Sequence, residues 1–204
     1  IAQAPTGSGK TAAFGLGLLA PLNPRFFGCQ SLVLSPTREL AGQITEELRK
    51  LARGMGNIKI VTLSGGVPFG PQAASLEQGA HVIVGTPGRV QDHLNRGTLQ
   101  LDSLNCLVLD EADRMLDMGF VDAIREIVGH TPARRQTLLF SATYPPSLAQ
   151  LTGDLLRDPA QVKVERASAD SPIEQRFYEI EAEQRFASVL RLLAANRPQP
   201  CIAF

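Results

Sequence analysis

The sequence predicts an α/β fold, a mostly parallel β-sheet with helices on both faces. Three observations predict it. Apolar runs of strand length alternate with helical patterns along the whole 204-residue chain. The run LNCLVL at 104–109 has one polar interruption near its start and is otherwise apolar, as suits a strand buried on both faces. The glycine-rich stretch APTGSGKT at 4–11 lies between a short extended start and a helical pattern, the order of a phosphate-binding loop.

The elements follow in order. The extended start is reduced to 1–3, and a helix at 11–20 leaves the glycine-rich loop. An apolar strand at 31–35 leads through Pro36 to Thr37, which is placed to cap a helix at 38–53. Strand 58–63, a helix near 71–78, strand 81–84 and helix 89–95 come next, then the strand 104–109. A short helix after that strand packs Met115, Met118 and Phe120 into the core. Helices near 121–128 and 147–156 flank strand 137–140, and 161–164 closes the series. At 167–172 (ASADSP) the composition turns small and polar, as a linker does. Beyond it, 173–180 has partial strand alternation, 183–195 reads as a helix, and 201–204 as the start of a buried strand. The expected organisation is a domain over 1–166, a linker at 167–172, and the opening of a second domain at 173–204.

The glycine-rich loop carries chemistry. Gly7 and Gly9 let the backbone turn tightly and aim several N–H groups at one point. The helix that follows adds the positive end of its dipole. Lys10 can then reach the β- and γ-phosphates of a nucleotide, and the Thr11 hydroxyl can ligate Mg²⁺. Ala4, Thr6, Gly7, Ser8, Gly9, Lys10 and Thr11 form the candidate nucleotide-binding set. A second set stands at the end of the 104–109 strand, where parallel sheets place their chemistry. There Asp110 can hold Mg²⁺ and Glu111 can orient or deprotonate an attacking water. Read alone, Glu111 and Asp113 also suit the N-terminus of the short helix that follows. With a phosphate loop upstream, a nucleotide-hydrolysing site is the better reading, with ATP and Mg²⁺ as its cofactors.

Other motifs say less singly. PTREL (36–40) and TPGR (86–89) are ordinary strand-to-helix connections in isolation, although an exposed helix N-terminus beside an arginine also suits a phosphate. Gly65-Gly66 alone is a turn, and SAT (141–143) a short polar strand end. Their order is informative. APTGSGKT, PTREL, Gly65-Gly66, TPGR, DEAD (110–113) and SAT occur in the series that resembles the DEAD-box ATP-dependent RNA helicases of superfamily 2.

That resemblance covers essentially the whole chain and implies a RecA-like P-loop domain. It implies that Lys10, Asp110 and Glu111 are catalytic and that Thr11 and Asp110 hold the metal. Asp113, Ser141 and Thr143 would couple nucleotide state to closure on RNA. Thr37, Arg38, Gly66, Thr86, Gly88 and Arg89 would lie along the RNA backbone. The stretches at 11–19, 114–120 and 173–180 are most similar to a bacterial family member associated with ribosomal RNA, which points to ribosome assembly. The tail resembles the start of the family's second RecA-like domain. The element that recognises adenine and the second domain's arginines fall outside the sequence, so it reads as part of a longer protein and is expected not to unwind by itself. An ATP-gated RNA clamp and a DNA-directed P-loop ATPase are the alternatives.

Composition bounds the rest. Lys plus Arg and Asp plus Glu are balanced at 20 each, which argues against a stand-alone basic RNA-binding module. With no Trp and few aromatics, base-stacking is disfavoured and backbone recognition remains. The three cysteines and three histidines show no metal-ligand spacing, and Cys106 reads as core. No apolar run reaches membrane-spanning length and no signal peptide opens the chain, so a reducing, cytoplasmic setting is expected.

Overall fold

The structure, a computed structural model, describes residues 1–5, 7–164, 176–196 and 201. Thr6, the expected linker at 167–172, the first residues of the 173–180 stretch and most of the 201–204 strand lie outside the described residues. Two compact units divide the chain, Ile1–Arg166 and Ala167–Phe204.

In the first unit the strands are β1 (Ala2–Gln3), β2 (Ser31–Leu34), β3 (Ile60–Leu63), β4 (Val82–Gly85), β5 (Cys106–Leu109), β6 (Gln136–Ser141) and β7 (Val162–Lys163). Its helices are α1 (Lys10–Leu19), α2 (Arg38–Leu51), α3 (Phe69–Glu77), α4 (Pro87–Asn95), α5 (Ala112–Asp117), α6 (Val121–Gly129) and α7 (Pro146–Leu155). The strands form one sheet in the order β3-β4-β2-β5-β6-β1-β7. Every pair is parallel.

Near-continuous apolar strands follow from burial on both faces. Successive side chains alternate sides. Leu32, Leu34, Ile83, Leu107 and Leu109 join Met115, Ile124, Ile127, Leu148 and Leu151 in one core layer. Val33, Val82, Val84, Val108 and Phe140 join Phe14, Leu18, Ala41, Ile44 and Leu48 in the other. The sheet is thus sandwiched between α1–α2 and α4–α7, with every loop that follows a strand at one edge.

Local rules account for most element ends. Thr37 caps α2, its Oγ1 accepting from the Leu40 N–H at 3.3 Å. A single 3₁₀ turn, Ala52–Gly54, finishes that helix. At the exposed end of the sheet the Arg49 guanidinium donates to the Ile60 carbonyl at 3.1 Å, blunting the edge of β3.

Several expectations shift. α3 begins at Phe69 rather than 71, because Pro68 sets an extended entry directly before it. β6 runs on to Ser141, since its last residues pair with the phosphate-loop strand: Phe140 and Ser141 oppose Ala2 and Gln3. Met115 is buried and Phe120 packs against the core, but Met118 at the end of α5 is exposed and is not a core residue. Cys106 is buried, and burial pushes its thiol up to about 11, as expected of core.

In the second unit the described residues form a 3₁₀ turn (Ala182–Gln184) and helix α8 (Arg185–Asn196). Residues 176–180 form no strand, contrary to the alternation read there. Phe177, Val189 and Leu193 are exposed, while Leu192 is half-buried. Among the described residues no helix is long and apolar enough to cross a membrane.

Candidate active site and nucleic-acid interface

The sheet order divides the carboxyl edge in two. On one side β5, β6 and β1 lie together and deliver DEAD, SAT and the glycine-rich loop. On the other β3, β4 and β2 deliver Gly65-Gly66, TPGR and PTREL.

The glycine-rich loop is tied to β6 at its start, where the Ala4 N–H donates to the Ser141 carbonyl at 3.0 Å. Gly7 and Gly9 have φ of 81° and 84°, left-handed values that a Cβ would strain. Gly9 is the N-cap of α1, and no side chain caps that helix. The first-turn N–H groups therefore point outward with the helix dipole, the arrangement that receives a phosphate. The Lys10 ammonium donates to the Ala4 carbonyl at 2.9 Å and to the Pro5 carbonyl at 3.4 Å, holding it over the loop. Thr11 follows in the first turn of α1, half-buried.

Asp110 is buried, and its Oδ1 has no hydrogen-bond partner. Burial pushes its carboxyl up to about 6, against the pull of the Lys10 ammonium, with Glu111 adding to the rise. A dry, unpartnered carboxylate oxygen is costly by about 1–3 kcal/mol or more, and it calls for a cation. Carboxylate and hydroxyl oxygens are hard donors of the kind Mg²⁺ takes, so Asp110 and Thr11 fit that ion. Glu111 has φ 51° and ψ 51°, a left-handed backbone rare outside glycine. Its carboxylate meets Arg114 Nη1 at 3.3 Å, a half-exposed pair of small energetic weight.

Asp113 is fully engaged. Its Oδ2 accepts from the Thr143 amide at 2.9 Å and from the Thr143 hydroxyl at 2.7 Å, and its Oδ1 accepts from the Arg114 amide at 3.0 Å. The Asp113 N–H reaches Ser141 Oγ at 3.3 Å. Burial would raise this carboxyl, but the Thr143 and Ser141 bonds outweigh it and hold it below the usual aspartate range. The three residues grouped from sequence as one coupling unit are therefore in contact.

On the other side, Arg38 is exposed and its Nε donates to Glu39 Oε1 at 2.6 Å. Gly66 has φ 75°, and a Cβ there would lie 2.6 Å from Arg38 Nη1, so the PTREL and Gly65-Gly66 segments meet. Thr86 is the N-cap of α4, with Pro87 in its first turn and no side-chain cap. Gly88 sits in that turn with open space where a Cβ would stand. Arg89 turns back to the loop after β3, its Nη2 donating to the Val67 carbonyl at 3.1 Å. Thr37, Arg38, Gly66, Thr86, Gly88 and Arg89 thus occupy loops and helix starts after three neighbouring strands. Thr6 lies outside the described residues.

Sequence reading missed two positions. Ser35 directly follows Leu34 and Asp110 directly follows Leu109, and Leu34 and Leu109 are register partners. Ser35 therefore stands beside Asp110 on the α1 side of the sheet, and its buried Oγ is also unpartnered. The apolar neighbours of a lone serine gave no signal of this. Gly85 ends β4 where a Cβ would lie 2.7 Å from the Leu63 carbonyl, so the start of α4 closes tightly on β3. Among the described residues no group of three or more His, Cys, Asp or Glu could hold a further metal.

Comparison with known proteins agrees with this geometry. The profile of the family described as DEAD/DEAH box helicase matches residues 1–151. The chain is 54% identical over 202 residues to the ATP-dependent RNA helicase DbpA of Escherichia coli (strain K12), covering 99% of this chain and 44% of DbpA. It is 43% identical to the DEAD-box ATP-dependent RNA helicase CshA of Geobacillus kaustophilus, covering 100% of this chain and 44% of CshA. Among solved structures, a DEAD box protein from the hyperthermophile Methanococcus jannaschii superposes with a TM-score of 0.78 at 41% identity, over 94% of this chain and 51% of that one. A Saccharomyces cerevisiae Dbp5 variant solved with Nup159, a Gle1 variant, IP6 and ADP superposes with a TM-score of 0.71 at 34% identity, over 80% and 42%. The chain thus spans under half the length of the curated relatives it matches.

Proposed function

The chain belongs to the DEAD/DEAH box helicase family, and from that premise we propose that it is the ATP-hydrolysing part of an RNA helicase. In this reading RNA-stimulated ATP hydrolysis is coupled to local unwinding of RNA duplexes. The observation that carries it is the unpartnered, buried Asp110 Oδ1 at the end of β5, in a sheet that sets β5, β6 and the phosphate-loop strand side by side. A carboxylate is kept dry at such cost where a cation bound to a polyphosphate satisfies it. The Dbp5 relative was solved with ADP, which favours an adenine nucleotide.

The division of labour follows from the residues. Ala4 and Thr6–Gly9 wrap the phosphates, and Lys10 exchanges the Ala4 and Pro5 carbonyls for β- and γ-phosphate oxygens. Thr11 and Asp110 would hold Mg²⁺, which would supply charge neutralisation to the phosphates. Glu111 orients a water toward the γ-phosphorus and takes its proton as the bond to the β-phosphate oxygen breaks, leaving ADP and phosphate. Asp113, Ser141 and Thr143 transmit the change to β6. Thr37, Arg38, Gly66, Thr86, Gly88 and Arg89 grip RNA phosphates and 2′-hydroxyls, which positions the strand without reading its sequence.

The wider setting belongs to the same reading: a linker at 167–172, the opening of a second RecA-like domain at 173–204, and ribosomal RNA in the cytoplasm as the place of work. The ribosomal setting rests on the resemblance of the stretches at 11–19, 114–120 and 173–180. ATP turnover of the intact protein with and without single-stranded RNA or DNA tests the proposal. Stimulation by RNA alone is expected. Equal stimulation by DNA makes it a DNA-directed ATPase, and stimulation by neither overturns the reading. The Asp113–Thr143 link would equally serve an ATP-gated clamp, so duplex release in a single turnover separates clamp from unwinding.

A further inference from the structure

The loop after β3, Ser64–Val67, is pinned at three points, two by hydrogen bonds and one by close approach. The Val67 carbonyl accepts from Arg89 Nη2 at 3.1 Å. Gly66 abuts Arg38 Nη1, within 2.6 Å of where a Cβ would stand. The Ser64 carbonyl accepts from Gln72 Nε2 at 3.0 Å. The first two pins are arginines assigned above to RNA phosphates. When Arg89 turns to a phosphate its bond to the Val67 carbonyl is lost, so that pin goes when the loop must be in place.

The third pin is uncharged and buried. With Gln72 Nε2 committed to Ser64, its Oε1 faces His93 Nε2 at 3.4 Å, and His93 must donate there. With Nε2 donating, a neutral ring leaves Nδ1 as acceptor, and the single hydrogen of the Thr98 hydroxyl is shared between Nδ1 at 2.8 Å and the His93 carbonyl at 3.1 Å. Both His93 and Gln72 are buried. The Phe69 ring stacks on the imidazole at 4.1 Å and 15°, and the Arg96 guanidinium lies 4.4 Å from the centroid of that ring. Burial first, then Arg89 and Arg96, hold the imidazole below its usual pKa against the pull of Asp92, which keeps it neutral and suited to this single-donor role. The His93 hydrogen bonds lead, through Gln72, to the backbone of the loop that carries Gly66.

We propose that His93 is a positioning residue for the RNA-facing loop, holding the Gly65-Gly66 turn in register through Gln72 and Ser64 while Arg38 and Arg89 engage phosphate. The inference rests on the RNA-helicase reading, and the unaltered protein checks that reading separately, since absence of RNA stimulation there sinks the reading and not the inference. In the intact protein, ATP turnover is titrated with single-stranded RNA, the KM for ATP is measured at saturating RNA, and thermal melting is followed for each variant. His93→Phe keeps a ring on Phe69 and removes both hydrogen bonds. It should raise the RNA half-saturation about tenfold, the scale of one lost hydrogen bond at a positioned site, with the ATP KM within about twofold. His93→Gln, whose amide donor falls near Nε2, should recover most of the loss. Gln72→Met, which keeps length and cuts the Ser64 bond, should match His93→Phe, and the double variant should add little to either. A folded His93→Phe protein with unchanged RNA half-saturation, or with the ATP KM rising in step, overturns the proposal. Should His93→Phe not fold, Gln72→Met decides by the same two outcomes.

Discussion

Along the carboxyl edge of the sheet, the β5-β6-β1 side and the β3-β4-β2 side share a plan of strand, loop and helix start, yet they treat their polar groups differently. On the first side a buried carboxylate oxygen has no partner, a glutamate sits in a left-handed backbone and the α1 N-terminus is uncapped. On the second, Thr37 caps its own helix, Arg38 pairs with Glu39 and Arg89 with the Val67 carbonyl. In the proposed function, the difference separates binding that is chemical from binding that is only positional. The proposed metal and hydrolysis site is left unsatisfied and strained, and its ligand would complete it. The side proposed to follow a nucleic-acid backbone keeps its two arginines paired, although Ser35 Oγ is unpartnered there and α4 has no side-chain cap.

Replacing Glu111 with Gln should press hardest on that contrast. RNA-stimulated ATP turnover of the intact protein should fall about 10²–10⁴-fold, the range of a lost general base, with RNA affinity retained. Near-normal turnover would remove the chemical side of the comparison.

Asp110→Asn tests whether the buried charge is a cost carried for the ligand. The Asp110 carboxyl lies at about 6 in the folded chain against an ordinary 3.8. A folded pKa raised in this way means that stability is fully present below about pH 4 and is lost as pH rises toward 6. At 1.36 kcal/mol per unit the loss is about 3 kcal/mol. The Asn variant should therefore be more stable than the parent in urea at pH 8 and the same at pH 4, while losing stabilisation by Mg²⁺-nucleotide. Equal stability at pH 8 would show that the charge is not uncompensated.

Thr143→Ala removes the hydroxyl bond to Asp113 and leaves the bond from the Thr143 amide. Duplex release per ATP hydrolysed should drop about 5–150-fold, the span of a typical coupling energy, more than hydrolysis itself. An equal drop in both would make the Asp113–Thr143 link part of the chemistry rather than of its transmission. The smallest effect belongs to Thr37→Ala, which should cost about 1 kcal/mol of unfolding free energy through the lost helix cap. If it instead weakens RNA binding with stability unchanged, the second side is less self-satisfied than its hydrogen bonds indicate.

Legibility followed the same divide. Lys10 and Thr11 could be read from glycine spacing alone, while Asp110 and Glu111, which read alone also suit a helix start, were read through the phosphate loop upstream. Arg38, Gly66 and Arg89 could be read only from the order of motifs, since each alone is an ordinary turn or helix start. Strands β2 and β5 stood out as apolar runs buried on both faces. The two-residue β1 was read only as a short extended start at 1–3, and its pairing with β6 and β7 is a long-range fact. Alternation at 173–180 suggested a strand, but a strand is made by its neighbours, and among the described residues none pairs with 176–180. Ser35 was invisible because its meaning comes from register with Asp110, not from its own sequence.

The left-handed backbone at Glu111 bears on attempts to make this protein sturdier. A non-glycine residue held there costs about 1–3 kcal/mol, so glycine or asparagine would be the first substitution chosen by any search rewarding thermal tolerance alone. That improvement would delete the carboxylate on which the proposed hydrolysis turns. The most robust version of the protein would then be an inert one, and selection for durability has to be run together with a screen for turnover.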